Sequence, residues 1–285
     1  MKQKLTTIDH SRDIAGLKYV YPVISRRAGG LSIGINVNTN NACNWRCVYC
    51  QVPDLIRGAA PEMDFQLLES ELRFFLKQVL GGGFYDKFNV LQSLRVIKDV
   101  AISGNGEPTS LKEFDRVIEL VGRIALELGV LPKSQLVLIS NGSLINQLDV
   151  QQSLKILNNY QGEVWFKLDS ATEYGRRLIN DSKQTTEKLM HNLKVSTRLC
   201  ATSLQTCMIN YLTEGETKSE REAYIELLKN IKEQKIAIKK IMLYTLARPS
   251  FQPEAAEIKK IDAEQMEKFA KQIRELDYFD VSISL

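Results

Sequence analysis

Cys43, Cys47 and Cys50 stand in the spacing C-x3-C-x2-C, within the run Cys43-Asn-Trp-Arg-Cys47-Val-Tyr-Cys50. Three thiolates this close, with no fourth cysteine nearby, can hold a cubic iron–sulfur cluster by three of its four corners. A cluster that only carries electrons usually takes four protein thiolates. An iron without a protein ligand is an open coordination position, where a substrate or cosubstrate binds, so the spacing points to cofactor-borne chemistry. Other readings stay open on spacing alone. A structural zinc site wants four ligands, and His10 and His191, the only histidines, sit at no ligand spacing. Cys200 or Cys207 can supply a distant fourth thiolate, which would close a zinc or iron–sulfur site and make the chain a non-catalytic binding or redox-sensing module. Disulfides need an oxidising compartment, and the start Met-Lys-Gln-Lys-Leu-Thr-Thr shows no signal peptide.

A second group of residues follows the apolar run Val100–Ile102: Ser103-Gly104-Asn105-Gly106-Glu107-Pro108-Thr109. Gly104 and Gly106 let the backbone approach a ligand closely, whereas Ser103, Asn105 and Thr109 can equally just hold the turn. Ser140 and Asn141 end another apolar run, where an Asn-Gly turn needs no function. Lys167 and Asp169 share one strand face by the period of two, opposite Val164, Phe166 and Leu168. Inward charges in a barrel must be paired or liganded, so a structural Lys–Asp network competes with a binding role. Gln205 and Cys207 share a face, with Cys200 on the other; a buried cysteine is most often a small hydrophobe, and Cys207 is also a candidate hydrogen donor or methyl carrier. Arg248, before Pro249, can clasp a carboxylate or phosphate bidentately or pair with Glu107 or Asp169. Trp45 and Tyr49 can shield a cluster or simply pack.

The elements that must position these groups alternate. Strands are expected at Leu31–Val37, Val96–Ser103, Gln135–Ser140, Glu163–Ser170, Arg198–Ile209 and Ile236–Leu243. Helices are expected at Asp64–Leu80, after a capping box Ser110–Glu113, at Leu144–Asn158, after a second box Thr217–Glu220, and at Asp262–Leu276. Val281–Leu285 reads as a terminal strand, and Gly81–Ser93 as an inserted surface loop or lid. Six β-then-α units favour parallel pairing with right-handed crossovers, short of the closed eight-fold barrel. The expected fold is a partial (β/α)6 TIM-like barrel, one domain over 1–285, with its core at about 31–250, an N-terminal extension 1–30 and a C-terminal helix and strand in 251–285. Each motif just follows a strand, at the rim where chemistry gathers in parallel barrels.

Taken together, C-x3-C-x2-C with Tyr49 before the third cysteine, Ser103–Thr109 and Ile139-Ser-Asn-Gly-Ser143 resemble the radical S-adenosylmethionine (SAM) superfamily. Asn105-Gly106 stands where that family commonly has two glycines before the glutamate. Ser25-Arg26-Arg27, Gly29–Gly34 and Val48–Gln51 resemble its branch related to the wyosine-forming tRNA-modifying enzymes. The resemblance implies a [4Fe–4S] cluster on Cys43, Cys47 and Cys50. SAM would chelate the fourth iron, and an outside flavodoxin- or ferredoxin-type donor would supply the electron. SAM would then split into methionine and a 5′-deoxyadenosyl radical that abstracts hydrogen from a substrate. It also implies that Glu107 meets the SAM amino group, that Ser140 and Asn141 face the SAM pocket, that Lys167 neutralises the SAM carboxylate, and that Asp169 or Ser170 bonds ribose. A tRNA base, a peptide or protein, and a small molecule all remain open as substrate.

Composition is ordinary for a soluble globular protein: 44% hydrophobic and 25% charged over 285 residues. No apolar stretch reaches the ~20 residues needed to span a bilayer. A cytoplasmic setting without a membrane partner is expected. The net charge of +4 permits an RNA partner without arguing for one, and the Lys229–Lys240 stretch reads as a helix end and turn.

Overall fold

The computed structural model describes residues 5, 15–25, 29–211 and 213–285. Arg26, Arg27, His10 and most of the expected N-terminal extension lie outside the described residues.

The apolar runs build one eight-stranded sheet. Its spatial order follows the chain: β1 (Val20–Ser25), β2 (Gly30–Ile35), β3 (Ile97–Ile102), β4 (Gln135–Ser140), β5 (Glu163–Lys167), β6 (Ala201–Cys207), β7 (Ile238–Tyr244) and β8 (Val281–Ser284). β2 through β8 pair in parallel, and β1 pairs antiparallel with β2. The sheet curls into an open partial barrel with β1 and β8 at its edges, in agreement with the expected TIM-like core. The helices are α1 (Phe65–Leu80), α2 (Gly83–Lys87), α3 (Phe114–Glu127), α4 (Leu148–Asn159), α5 (Glu173–Asn180), α6 (Thr186–Leu199), α7 (Glu214–Glu233) and α8 (Ala263–Arg274).

Strand alternation sorts the barrel into two faces. Ile33, Val100, Leu138, Val164, Leu204 and Ile241 join the main core. α3 covers that core with the stripe Phe114, Val117, Ile118, Val121 and Ile124. Truncating one such residue to alanine costs about 2–5 kcal/mol. The alternate residues, among them Ser32, Asp99, Lys167, Gln205 and Tyr244, line a cavity.

Several local expectations are corrected. Ser110 caps no helix. It ends a 3-10 turn (Pro108–Ser110), and its hydroxyl donates to Glu107 O at 2.7 Å and accepts Ala60 N at 2.9 Å. The capping box of α7 is Thr213 with Glu216, one turn before the expected pair. Glu220 instead accepts from Ser170 Oγ at 2.6 Å and from Thr172 Oγ1. Gly81–Ser93 is no lid: it contains α2, and Phe84, Tyr85, Phe88 and Val90 are buried in the core. Strand β1 and helices α5 and α6 were not expected. β1 carries Pro22, which an edge strand tolerates because its missing N–H need not serve a central ladder.

Candidate active site

The cysteine loop leaves β2 and is tied down from several sides. Asn36 Oδ1 accepts Asn38 N at 3.1 Å and Asn105 N at 3.0 Å. Asn38 Nδ2 donates to Ala42 O at 3.0 Å and Glu107 O at 3.3 Å. Ala42–Cys43 pairs in parallel with Ile56–Arg57. Ser250 Oγ donates to Val48 O at 2.7 Å and Cys50 O at 3.0 Å, which fastens the loop to the segment after β7. On the opposite side, Arg46 N donates to Asn180 O at 3.1 Å and Val48 N to Ile179 O at 2.8 Å. These are carbonyls of the last turn of α5, which have no partner within their own helix.

Burial pushes the Cys43 thiol up to about 11, against the backbone N–H groups of Trp45 and Glu107 that face it. Burial pushes Cys47 up to about 12; the Lys167 cation lowers it, the Asp169 carboxylate raises it, and Asn180 donates to its sulfur. Thiols held this high become ligands only by exchanging their proton for a cation, and the N–H groups then face thiolates. Among the described residues no three His, Cys, Asp or Glu side chains converge on a point that would hold a single metal ion. By its chemistry, a set of three loop thiols suits a cluster with one open iron better than a zinc site, which wants four ligands. Cys200 is excluded as a fourth ligand. It lies just before β6 begins, at the end away from Cys207, with its thiol on Gly162 O at 3.3 Å.

A cavity of about 1250 Å³ opens beside the loop at the C-terminal strand ends and runs into the barrel. Tyr49, Cys50, Ser103, Gly104, Asn105, Lys167, Gln205, Cys207 and Arg248 line it. Ser103 Oγ lies 3.0 Å from Tyr21 Oη, and Asn105 Nδ2 donates to Asn41 Oδ1 at 2.5 Å. Lys167 Nζ donates to Tyr244 Oη at 3.2 Å and lies 4.9 Å from the Tyr49 ring centroid. Burial favours a neutral Lys167, but Tyr244, Asp169 and the thiols of Cys47 and Cys207 outweigh it and hold its pKa well above the usual value. Gln205, 2% exposed, has an Nε2 with no hydrogen-bond partner among the described residues. A buried amide N–H left unsatisfied costs free energy that a bound acceptor would recover.

Other expected site residues are spent on the protein. Glu107 does not line the cavity. Its carboxylate accepts Thr109 N at 3.2 Å, Thr109 Oγ1 at 2.6 Å, Ser140 Oγ at 2.7 Å and Asn141 N at 2.7 Å. Burial raises its pKa while those donors oppose the rise. The carboxylate thus ties the turn after β3 to the turn after β4. Both glycines allow close chain-to-chain packing: a Cβ on Gly106 would sit 1.9 Å from Ala42 O, and one on Gly104, which also lines the cavity, 2.2 Å from Asn36 Oδ1. Asn141 is likewise committed, with Nδ2 on Asn44 Oδ1 at 2.8 Å and Oδ1 accepting Ser143 N at 3.0 Å. Ser170 bonds Glu220. Asp169 accepts Cys207 N at 2.9 Å, Asn180 Nδ2 at 2.8 Å and the Tyr49 hydroxyl, and so ties β6 and the end of α5 to the cysteine loop. Sequence reasoning missed Asn36, Asn38 and Asn180; the first two carry a signal in the run Ile35-Asn-Val-Asn-Thr-Asn-Asn41, whose short amides both donate and accept.

A strand-end cavity beside three loop cysteines defines a cofactor-dependent α/β-barrel class. A sequence model of the Radical SAM superfamily matches residues 37–228, and the chain belongs to that superfamily. It is an enzyme whose cofactors are a [4Fe–4S] cluster and SAM. Among solved structures, TYW1 with a lysine–pyruvate adduct shares the fold at TM-score 0.57 and 18% identity, over 88% of this chain and 74% of that one. An archaeal TYW1 aligns at TM-score 0.49 and 16% identity, over 88% of this chain and 72% of that one. A curated protein called GTPase Obg, from Brachyspira hyodysenteriae (strain ATCC 49526 / WA1), is 23% identical over 266 residues, 93% of this chain. This chain spans about a third of that protein, 34% of its length. It contains no G-x4-G-K-S/T phosphate loop.

Proposed function

We propose that Cys43, Cys47 and Cys50 hold the [4Fe–4S] cluster and that the cavity they border takes SAM and a substrate. When bound, the two cofactors supply a 5′-deoxyadenosyl radical that removes hydrogen from a substrate C–H bond. The observation that carries the reading is the juxtaposition of the cysteine loop with a cavity that contains a cation, Lys167, and an unpartnered amide, Gln205 Nε2. Lys167 stays protonated and offers charge to the SAM carboxylate. Ser103, Gly104, Asn105, Tyr49 and Arg248 form the rest of the binding wall. Glu107 and Asn141 act behind it, by holding the two turns against the cysteine loop. The chain's own work is orientation and the exclusion of water from the reacting carbon.

The reading takes the electron from a separate flavodoxin- or ferredoxin-type protein and sets the enzyme in the cytoplasm. A tRNA base is the first substrate to try, because the fold is shared with TYW1 and the chain is mildly basic; peptides and small molecules follow. The test is anaerobic. Reconstituted protein with dithionite and SAM is assayed for 5′-deoxyadenosine, with Cys47→Ala as control. Product that disappears in the variant is expected. A full cluster that yields no product, and whose EPR signal SAM does not shift, would sink the reading.

A further inference from the structure

The three cysteines are not equivalent in what faces their sulfurs. Cys43 receives backbone N–H groups, from Trp45 at 3.4 Å and from Glu107. Cys47 receives a side chain from a distant element: Asn180 Nδ2, at the end of α5, lies 3.2 Å from its Sγ. Asn180 is 1% exposed, and the same nitrogen donates to Asp169 Oδ2 at 2.8 Å. Both amide hydrogens are therefore committed, one to sulfur and one to the carboxylate.

The orientation of that amide is determined by chemistry. An ionised carboxylate only accepts, so the end of Asn180 that meets Asp169 must be the NH2. Asp169 is itself pinned by the Tyr49 hydroxyl and by Cys207 N at 2.9 Å. The flipped amide would put Oδ1 against a carboxylate and a thiolate at once. The backbone adds two more ties, since the carbonyls of Ile179 and Asn180 take the N–H groups of Val48 and Arg46 on either side of Cys47. Position and donor are thus supplied together by one helix end.

We infer that Asn180 is a positioning residue that raises the reduction potential of the cluster by donating a hydrogen bond to the Cys47 sulfur. Reduction adds negative charge to an iron–sulfur cluster, part of it on the sulfurs. A donor at sulfur therefore stabilises the reduced form more than the oxidised form. The inference rests on the proposed reading of the three cysteines as cluster ligands.

The experiment is an EPR-monitored redox titration of the reconstituted full chain, wild type against Asn180→Leu. The expected result is a negative shift of the midpoint. At the ambient potential where wild type is half reduced, the ratio of reduced to oxidised cluster in the variant falls about tenfold, which is about 59 mV for a one-electron couple. Asn180→Gln, which keeps the amide, recovers part of it. A purely structural role would lower cluster content and leave the midpoint of the clusters that form unchanged, and that result overturns the inference. In case the leucine variant does not load, wild type carrying 15N only at asparagine Nδ2 is examined by pulsed EPR. A nitrogen coupling to the reduced cluster is expected, and its absence also overturns the inference. If wild type forms no [4Fe–4S] signal, it is the reading of the cysteines that fails.

Discussion

Two polar clusters on the rim of this barrel are built from the same residue classes and differ in how far the protein itself satisfies them. Beyond β3 and β4, Glu107, Ser140 and Asn141 satisfy one another, and the carboxylate collects four donors in a closed network. Beyond β5, β6 and β7, Gln205 Nε2 has no partner among the described residues, and Lys167, which lines the cavity, meets the Tyr244 hydroxyl at 3.2 Å. Asp169 and Ser170, on the same side, are bonded to the protein. A glutamate on a glycine-rich turn and a lysine on a strand end look equally like ligand contacts in a sequence. In the structure they differ in what already meets them: four protein donors at the carboxylate, one tyrosine hydroxyl at the ammonium.

Glu107→Ala is expected to have the largest effect. It orphans buried donors at about 1–3 kcal/mol each, so a loss of about 4 kcal/mol in urea unfolding is expected; a loss under about 1 kcal/mol would mean that the network is not structural. Gly106→Ala comes next. Its Cβ would overlap Ala42 O at 1.9 Å, and overpacking of this kind costs about 1–3 kcal/mol. Because the overlap bears on the residue before Cys43, iron content per chain should fall with stability. Lys167→Met, in the other cluster, is expected to weaken SAM binding to the loaded protein about tenfold, near 1.4 kcal/mol, with the unfolding midpoint nearly unmoved. Smallest is Gln205→Leu: removing an unpartnered buried N–H should leave apo stability within about 1 kcal/mol of wild type or raise it. A large destabilisation there would show that the amide is spent on the scaffold after all.

Much of this was legible in the sequence for definite reasons. Thiolate spacing is local, so the cysteine loop could be read directly. The parallel strands announce themselves as apolar runs ending in turns. What stayed hidden depends on which chain segment comes near which. Gly106 is needed for a close approach, but one sequence does not say whether a ligand or Ala42 approaches. The boxes Thr213–Glu216 and Thr217–Glu220 match the same pattern one turn apart, and the local rule cannot choose between them. Ser110–Glu113 matches it too, yet the Pro108 turn claims the serine. Helix α5, and with it Asn180, went unseen because its eight residues, Glu-Tyr-Gly-Arg-Arg-Leu-Ile-Asn, carry only a narrow apolar stripe.

The edge strand β1 has a consequence for how such an enzyme can diversify. Tyr21 lies across β2, in the space a side chain at Gly34 would fill, where a Cβ would come within 2.1 Å of its ring. With Val23 and Ser25 it gives one wall of the cavity, yet β1 shares its ladder with β2 alone. Substitutions on the cavity face of that strand could therefore reshape what the cavity admits without touching a cysteine, while Val20 and Ile24 on its other face stay in the core. The strand that shapes this wall is separate from the loop that carries the three cysteines.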